Sequence, residues 1–213
     1  MSKKIVKALI VATVLTILPV LGNIEMLYAA QVWILFVLGA FGSILQPDYS
    51  LSKDKKNSRD AGTEALIIWS VFITQLLAIL EAAYMRYPES IKWDTVAFVT
   101  LAIMLVGFAL RGWAICTLGE YFTMHLAIHE DHKIIRIGPY KYFRHPSYVG
   151  AFMTYMGTSI FLHSWISAIV AIIILPFAWM KRMSYEEEML LDNFGNEYKD
   201  YCKDVKRVIP GLW

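Results

Sequence analysis

Residues 131–150, DHKIIRIGPYKYFRHPSYVG, carry more chemistry than a link between apolar segments requires. Twenty positions hold a Gly-Pro step, three tyrosines, two histidines, two arginines and a His-Pro step. The piece HKIIRI is read as extended, and Gly138-Pro139 ends it in a turn. Pro146 after His145 marks a helix start, because the first helical turn has no use for the N–H that proline lacks. Four long apolar segments precede this stretch; an apolar hairpin and a charged tail follow it. It is therefore read as a ligand-binding segment held at the surface of a membrane-embedded helical body.

The composition agrees with that body. Of 213 residues, 57% are hydrophobic and 18% charged, and the mean hydropathy is +0.48. A water-soluble domain of this length carries fewer apolar and more charged residues. Several apolar runs reach the roughly 20 residues that a membrane helix needs. The net charge of +2 gives no reason to expect a nucleic-acid partner. Cys116 and Cys202 form no disulfide framework and are read as reduced.

Upstream, Lys3, Lys4 and Lys7 flank an apolar run over 5–21, read as a first membrane helix rather than a signal peptide. A second helix is expected over about 26–45, stopping before Pro47. Its Gly39 and Gly42 either admit a close helix neighbour or are ordinary membrane glycines. Residues 47–62 form a polar, basic loop. A third run spans 64–84, followed by a belt of Tyr84, Tyr87 and Trp93 around a turn. A fourth covers 95–118 and contains Arg111, either a functional residue within the membrane or one that snorkels to headgroups.

Downstream, 148–162 and 165–180 are both apolar, about 24 Å each at 1.5 Å per residue. They are read as a short helical hairpin whose second leg is kinked at Pro176. In the tail, Met189, Leu190, Phe194, Tyr198 and Tyr201 recur at helical spacing, so an amphipathic helix is expected there. The fold class is thus all-α and integral to the membrane: about five to six membrane helices, the last two a short hairpin, plus a C-terminal helix and a binding loop. Residues 1–106 form an N-terminal helical part and 107–213 the functional core. With the N-terminus in the cytoplasm, 17 of the 20 Lys and Arg fall on the cytoplasmic side. The C-terminus and residues 131–150 lie on that side too.

Two further groupings bear chemistry. Arg144, His145, Pro146, Ser147 and Tyr148 open the hairpin, where the positive end of the helix dipole favours a carboxylate. The structural alternative has Arg144 on lipid phosphate, His145 as cap and Tyr148 in the belt. Arg182 and Glu186 are four apart, hence on one helix face, with Glu187 and Glu188 beside them. Either they form a surface ion pair of little worth, or the carboxylate holds a cation and the arginine an anion, which together suggest group transfer.

GPYKYFRHPSYVG, the apolar hairpin, Lys181-Arg182, the Glu186–Glu188 run, FGNEYKDY and a final Arg207-Val208-x-Pro210 resemble the isoprenylcysteine carboxyl methyltransferase family, part of a wider group with phospholipid methyltransferases. The resemblance covers about residues 107–210. It implies S-adenosylmethionine as methyl donor. It also implies a cytosolic donor pocket and a prenylcysteine or similar lipid-borne acceptor. By position it assigns His132, Lys133, Ile134, Ile135, Tyr140, His145, Pro146, Ser147, Tyr148 and Glu186 to the donor, with His125 as a further contact; Glu187 is added beside Glu186 as a donor-binding candidate. It assigns Arg182 to the substrate carboxylate; Arg144 is added as a catalytic candidate and Arg111 as a substrate-binding one. Two alternatives stand beside it. One is a phospholipid or small amine or thiol methyltransferase, which needs a base such as His145 or Glu187. The other is a non-enzymatic transporter or sensor, against which the sequence offers no internal repeat.

Overall fold

The computed structural model describes residues 3–46, 62–122 and 133–208. Most of the 47–62 loop, His125 and His132 lie outside the described residues. Among the described residues every regular element is helical, beside one isolated parallel bridge between Phe143 and Lys206. The helices are α1 (Lys3–Ala12), α2 (Ala30–Leu45), α3 (Thr63–Tyr84), α4 (Thr95–Leu118), α5 (Pro146–Phe161), α6 (Trp165–Phe194) and α7 (Asn196–Asp204). A π turn and a 3-10 turn carry α1 on to Val20. Among the described residues, α3, α4 with its 3-10 extension to Tyr121, and α6 are long and apolar enough to cross a membrane; α2 is a shorter apolar helix. Their outer faces leave Trp69, Phe98, Val106, Trp113, Ile173 and Phe177 exposed, as lipid contact requires.

The fourth helix runs over the expected residues. The hairpin differs in its second leg. Apolar residues end near Met180, but α6 continues without a break to Phe194, 30 residues in all. Pro176 lies inside it without ending it. The charged segment after Met180 is made of good helix formers such as Glu, Met, Leu and Lys, so nothing stops the helix there. The separate tail helix expected from hydrophobic spacing is therefore two pieces. One is the end of α6; the other is α7, turned away from it at Gly195, whose φ is +52°.

Two polar clamps fix the end of the bundle away from residues 133–145. Asp94 caps α4 by accepting from the Ala97 N–H at 2.9 Å, and its other oxygen lies 3.0 Å from His163 Nε2. Glu81, near the end of α3 and 5% exposed, accepts from the N–H groups of Ile166 and Ser167 at 3.2 and 2.7 Å and from the Ser167 hydroxyl at 2.7 Å. A carboxylate on another helix thus caps α6.

The tightest crossing is α4 on α5. A Cβ at Gly150 would stand 2.4 Å from the Gly107 carbonyl oxygen and 2.7 Å from the Arg111 N, and one at Gly107 would stand 2.5 Å from Met153 Cβ. Only glycine permits that approach. By contrast a Cβ at Gly39 would meet open space, and one at Gly42 would make an ordinary 3.5 Å contact with Phe108 Cε2. Behind this seam, Tyr148, Phe152 and Tyr155 of α5 pack around Trp179 of α6.

Candidate active site

The site forms where the first turn of α5, the end of α4, the start of α3 and the polar extension of α6 meet. Pro146 opens α5 as expected from its missing N–H. His145, the residue before it, does not cap the helix with its side chain. Its ring instead turns to α6, with Nε2 3.0 Å from Glu187 Oε1 and Nδ1 3.9 Å from Glu186 Oε2. Arg111 does not reach outward to a headgroup. Its Nη1 donates to both the Ser147 carbonyl and the Ser147 hydroxyl at 3.0 Å, so the tight α4–α5 seam delivers a cation to the first turn of α5.

Along α6 the charges fall in order. Arg182 is 4% exposed. Its Nη1 donates to Thr63 Oγ1 at 3.1 Å, and the guanidinium also hydrogen-bonds the Tyr148 hydroxyl. Tyr148 in turn donates to Glu186 Oε2 at 3.2 Å. A phenol thus stands between a buried cation and a carboxylate whose side chain is 28% exposed. Glu186 lies one helical turn, about 6 Å, beyond Arg182 toward the polar end of α6. This arginine is therefore buried rather than at the surface.

Glu187 sits differently. Oε1 accepts from Arg144 Nε at 2.9 Å and faces His145 Nε2; Oε2 accepts from Arg207 Nε at 3.0 Å and from Arg207 Nη2. Arg144 also donates from Nη1 to the Val205 carbonyl at 2.6 Å. Burial works against its charge, but the hydrogen bond and charge of Glu187 outweigh that and raise its pKa. Arg144 and Glu187 are thus tied to each other and to the C-terminal segment.

The loop residues divide. Tyr140 is buried, and its carbonyl accepts from the Tyr201 hydroxyl at 2.7 Å. Burial, with the charge of Glu186 adding to it, pushes the Tyr140 phenol well above its ordinary range, so it stays a neutral donor. Ile134 packs on the Tyr198, Tyr201 and Val205 cluster, while Lys133 is exposed and Ile135 half-buried. Gly138 takes φ +58° beside Thr117 and Trp113 of α4, and this turns the chain from the extended piece into the short helical turn of Gly138–Lys141. The structure brings together Arg111, Tyr140, Arg144, His145, Pro146, Ser147, Tyr148, Arg182, Glu186 and Glu187. His125 and His132 lie outside the described residues. Sequence reasoning did not single out Thr63, the partner of Arg182, and it named Arg207 only within the family resemblance, with no role beside Glu187. Neither pairing carries a local signal, because Thr63 lies 119 residues from Arg182 and Arg207 lies 20 residues from Glu187.

A small donor molecule with a positive centre and a carboxylate suits these groups. Glu186 offers a partly open negative charge, and the α5 N-terminus a positive dipole end. The extended piece after residue 132 offers backbone edges.

Comparison with known proteins follows the same outline. The model of the isoprenylcysteine carboxyl methyltransferase (ICMT) family matches residues 99–192, from α4 through α6. A probable protein-S-isoprenylcysteine O-methyltransferase of Oryza sativa subsp. indica is 30% identical over 168 residues, covering 76% of this chain and 88% of that one. Protein-S-isoprenylcysteine O-methyltransferase B of Arabidopsis thaliana is 32% identical over 142 residues, covering 65% and 72%. The solved structure of the eukaryotic intramembrane Ras methyltransferase ICMT superposes with a TM-score of 0.61 at 26% identity, covering 98% of this chain and 74% of that one. The helical membrane fold, the grouping of residues at the start of α5 and these likenesses agree, and the chain belongs to the isoprenylcysteine carboxyl methyltransferase family.

Proposed function

We propose that this membrane methyltransferase moves a methyl group from S-adenosylmethionine to the carboxylate of a prenylated cysteine or a similar lipid-borne acid. The observation that carries this reading is the order of charge along α6. Glu186 stands toward the polar end and is partly open; Arg182 stands one turn nearer the apolar part of the helix and is buried. A cationic donor arriving from water meets the carboxylate first. An anionic head on an apolar tail, arriving from the bilayer, meets the arginine first. Tyr148 touches both and marks where the two meet.

When bound, S-adenosylmethionine supplies a methyl carbon on a positively charged sulfur. The residues of this chain position rather than activate. A carboxylate is already ionised at neutral pH, so no base has to remove a proton. Arg182 orients it with a planar fork that suits a carboxylate. Glu186, His145 and Tyr148 hold the donor side, and Lys133–Ile135 and Tyr140 border it. Arg111 steadies the first turn of α5 through Ser147. Held in line, the acceptor oxygen bonds to the methyl carbon as the carbon–sulfur bond breaks, and positioning supplies much of the rate. Opposite charges cancel along the way, so a site dried by Trp179, Tyr148 and the buried Pro146 favours the reaction.

The experiment is calorimetric titration of detergent-purified protein with S-adenosylhomocysteine, the spent donor, beside Glu186→Ala. Binding by the native chain and its loss in the variant are expected. A well-folded native chain that binds none would overturn the donor assignment.

A further inference from the structure

The C-terminal segment is stitched over the start of α5 by bonds that the proposed reaction does not itself use. The Arg144 N–H donates to the Lys206 carbonyl at 2.9 Å and the His145 N–H to the Arg207 carbonyl at 3.1 Å. These bonds flank the parallel bridge of Phe143 and Lys206. The Tyr201 hydroxyl holds the Tyr140 carbonyl, and Arg136 lies over the Tyr201 ring. Arg207 then reaches Glu187 with two nitrogens on one oxygen, leaving the other oxygen to Arg144 and His145. The side chains of Arg144, Glu187 and Arg207 are 12%, 16% and 19% exposed, so the cluster is shielded from water, and the His145 side chain is 3% exposed.

We infer that Arg207 is a positioning residue for methyl transfer, acting through Glu187 on His145. A carboxylate can swing about its terminal torsion, and its two oxygens are alike. The fork of Arg207 on Oε2 removes that freedom and presents Oε1 to the imidazole. Oε1, an acceptor, then keeps hydrogen on His145 Nε2. Which nitrogen of a histidine is protonated is set by the bond its other nitrogen makes. Nδ1 is left on the side of Glu186, 3.9 Å from its Oε2, the space assigned above to the donor. A residue beyond the matched family segment of 99–192 thereby sets the presentation of a ring inside it. The segment that carries Val205, Lys206 and Arg207 is in this sense part of the site, although it touches no reacting atom.

The inference rests on the reading of this space as the donor site, and two readouts keep the two apart. Nitrogen-15 chemical shifts of the His145 ring, identified by its loss in His145→Gln, report the tautomer without any ligand. Titration with S-adenosylhomocysteine reports the site. In the native chain Nε2 is expected to be protonated. In Arg207→Gln the ring is expected to exchange between tautomers and the affinity to fall about tenfold, the lower end of the loss seen when an outer partner of a metal-bound histidine is removed. Lys203→Gln, on an exposed ion pair with Asp200, is expected to change neither. Arg207→Gln with the native spectrum and native affinity would overturn the inference. Should that variant fail to fold, Arg207→Lys decides by the same two readouts. Lysine is a point charge without a fork, so unchanged spectrum and affinity in it count against the inference. Absent binding by the native chain would instead count against the donor site.

Discussion

At the residue scale, Arg182 separates the two halves of the proposed site. Its guanidinium lies beneath Tyr148 and against Thr63, on the acceptor side of the phenol. Arg182→Ala is therefore expected to lower methyl transfer by about 100-fold or more, the scale seen when a fixed charge-stabilising donor is removed. S-adenosylhomocysteine should bind it as it binds the native chain. Arg182→Lys should recover little, because an ammonium lacks the fork. Turnover in Arg182→Ala close to native would remove the arginine from the acceptor site. The pairing of Arg182 with Glu186 on one helix face is legible in the sequence from their spacing of four, while the substrate role given to the arginine comes from the family resemblance. Its burial is not legible, because burial depends on α3 starting at Thr63 directly across from it.

At the element scale, the crossing of α4 and α5 sets the site. The fourth helix, the start of α5 at Pro146 and the Gly-Pro turn were readable from apolar length, proline chemistry and the glycine turn. The glycines that matter were not. Gly39 and Gly42 sit in a plain small-residue spacing, yet they meet open space and one ring edge. Gly107 and Gly150, on different helices 43 residues apart, meet backbone to backbone. Spacing within one helix cannot reveal a partner on another. Gly150→Ala should thus destabilise the protein by about 1–3 kcal/mol, the usual cost of overpacking, and loosen the bond from Arg111 to Ser147. Gly39→Ala should change stability by less than about 0.5 kcal/mol. Thermal unfolding in detergent compares the two; equal midpoints would contradict the close crossing. The unbroken α6 is the other lesson at this scale. Hydropathy marks where a helix leaves the apolar phase, not where it ends, so the polar part of α6 was mistaken for the start of a separate helix.

At the scale of the whole molecule, opposite ends of the bundle serve different purposes. One end is closed by Glu81 capping α6 and by Asp94 with His163. The other carries Arg182, Glu186 and the loop stitched to α7. Basic residues crowd the second end, which by the positive-inside rule faces the cytoplasm in our reading, with both termini there. A cysteine-reactive, membrane-impermeant label applied to intact cells should then react with Glu89→Cys in the α3–α4 turn and not with Lys203→Cys in α7. The reverse pattern would invert the orientation. The overall helical fold and the clustering of the candidate residues are legible because apolar length and polar clusters are local. The stitching by Tyr201, Val205 and Arg207 is not, since it arises only when the tail folds back across α5.

The most direct test of the central claim is transfer of labelled methyl from S-adenosylmethionine to a small S-prenylated cysteine, run beside the same compound with its carboxylate converted to an amide. Base-labile methyl ester is predicted from the acid and none from the amide. Label appearing equally on both compounds, or on phospholipid alone, would contradict a carboxylate acceptor held by Arg182.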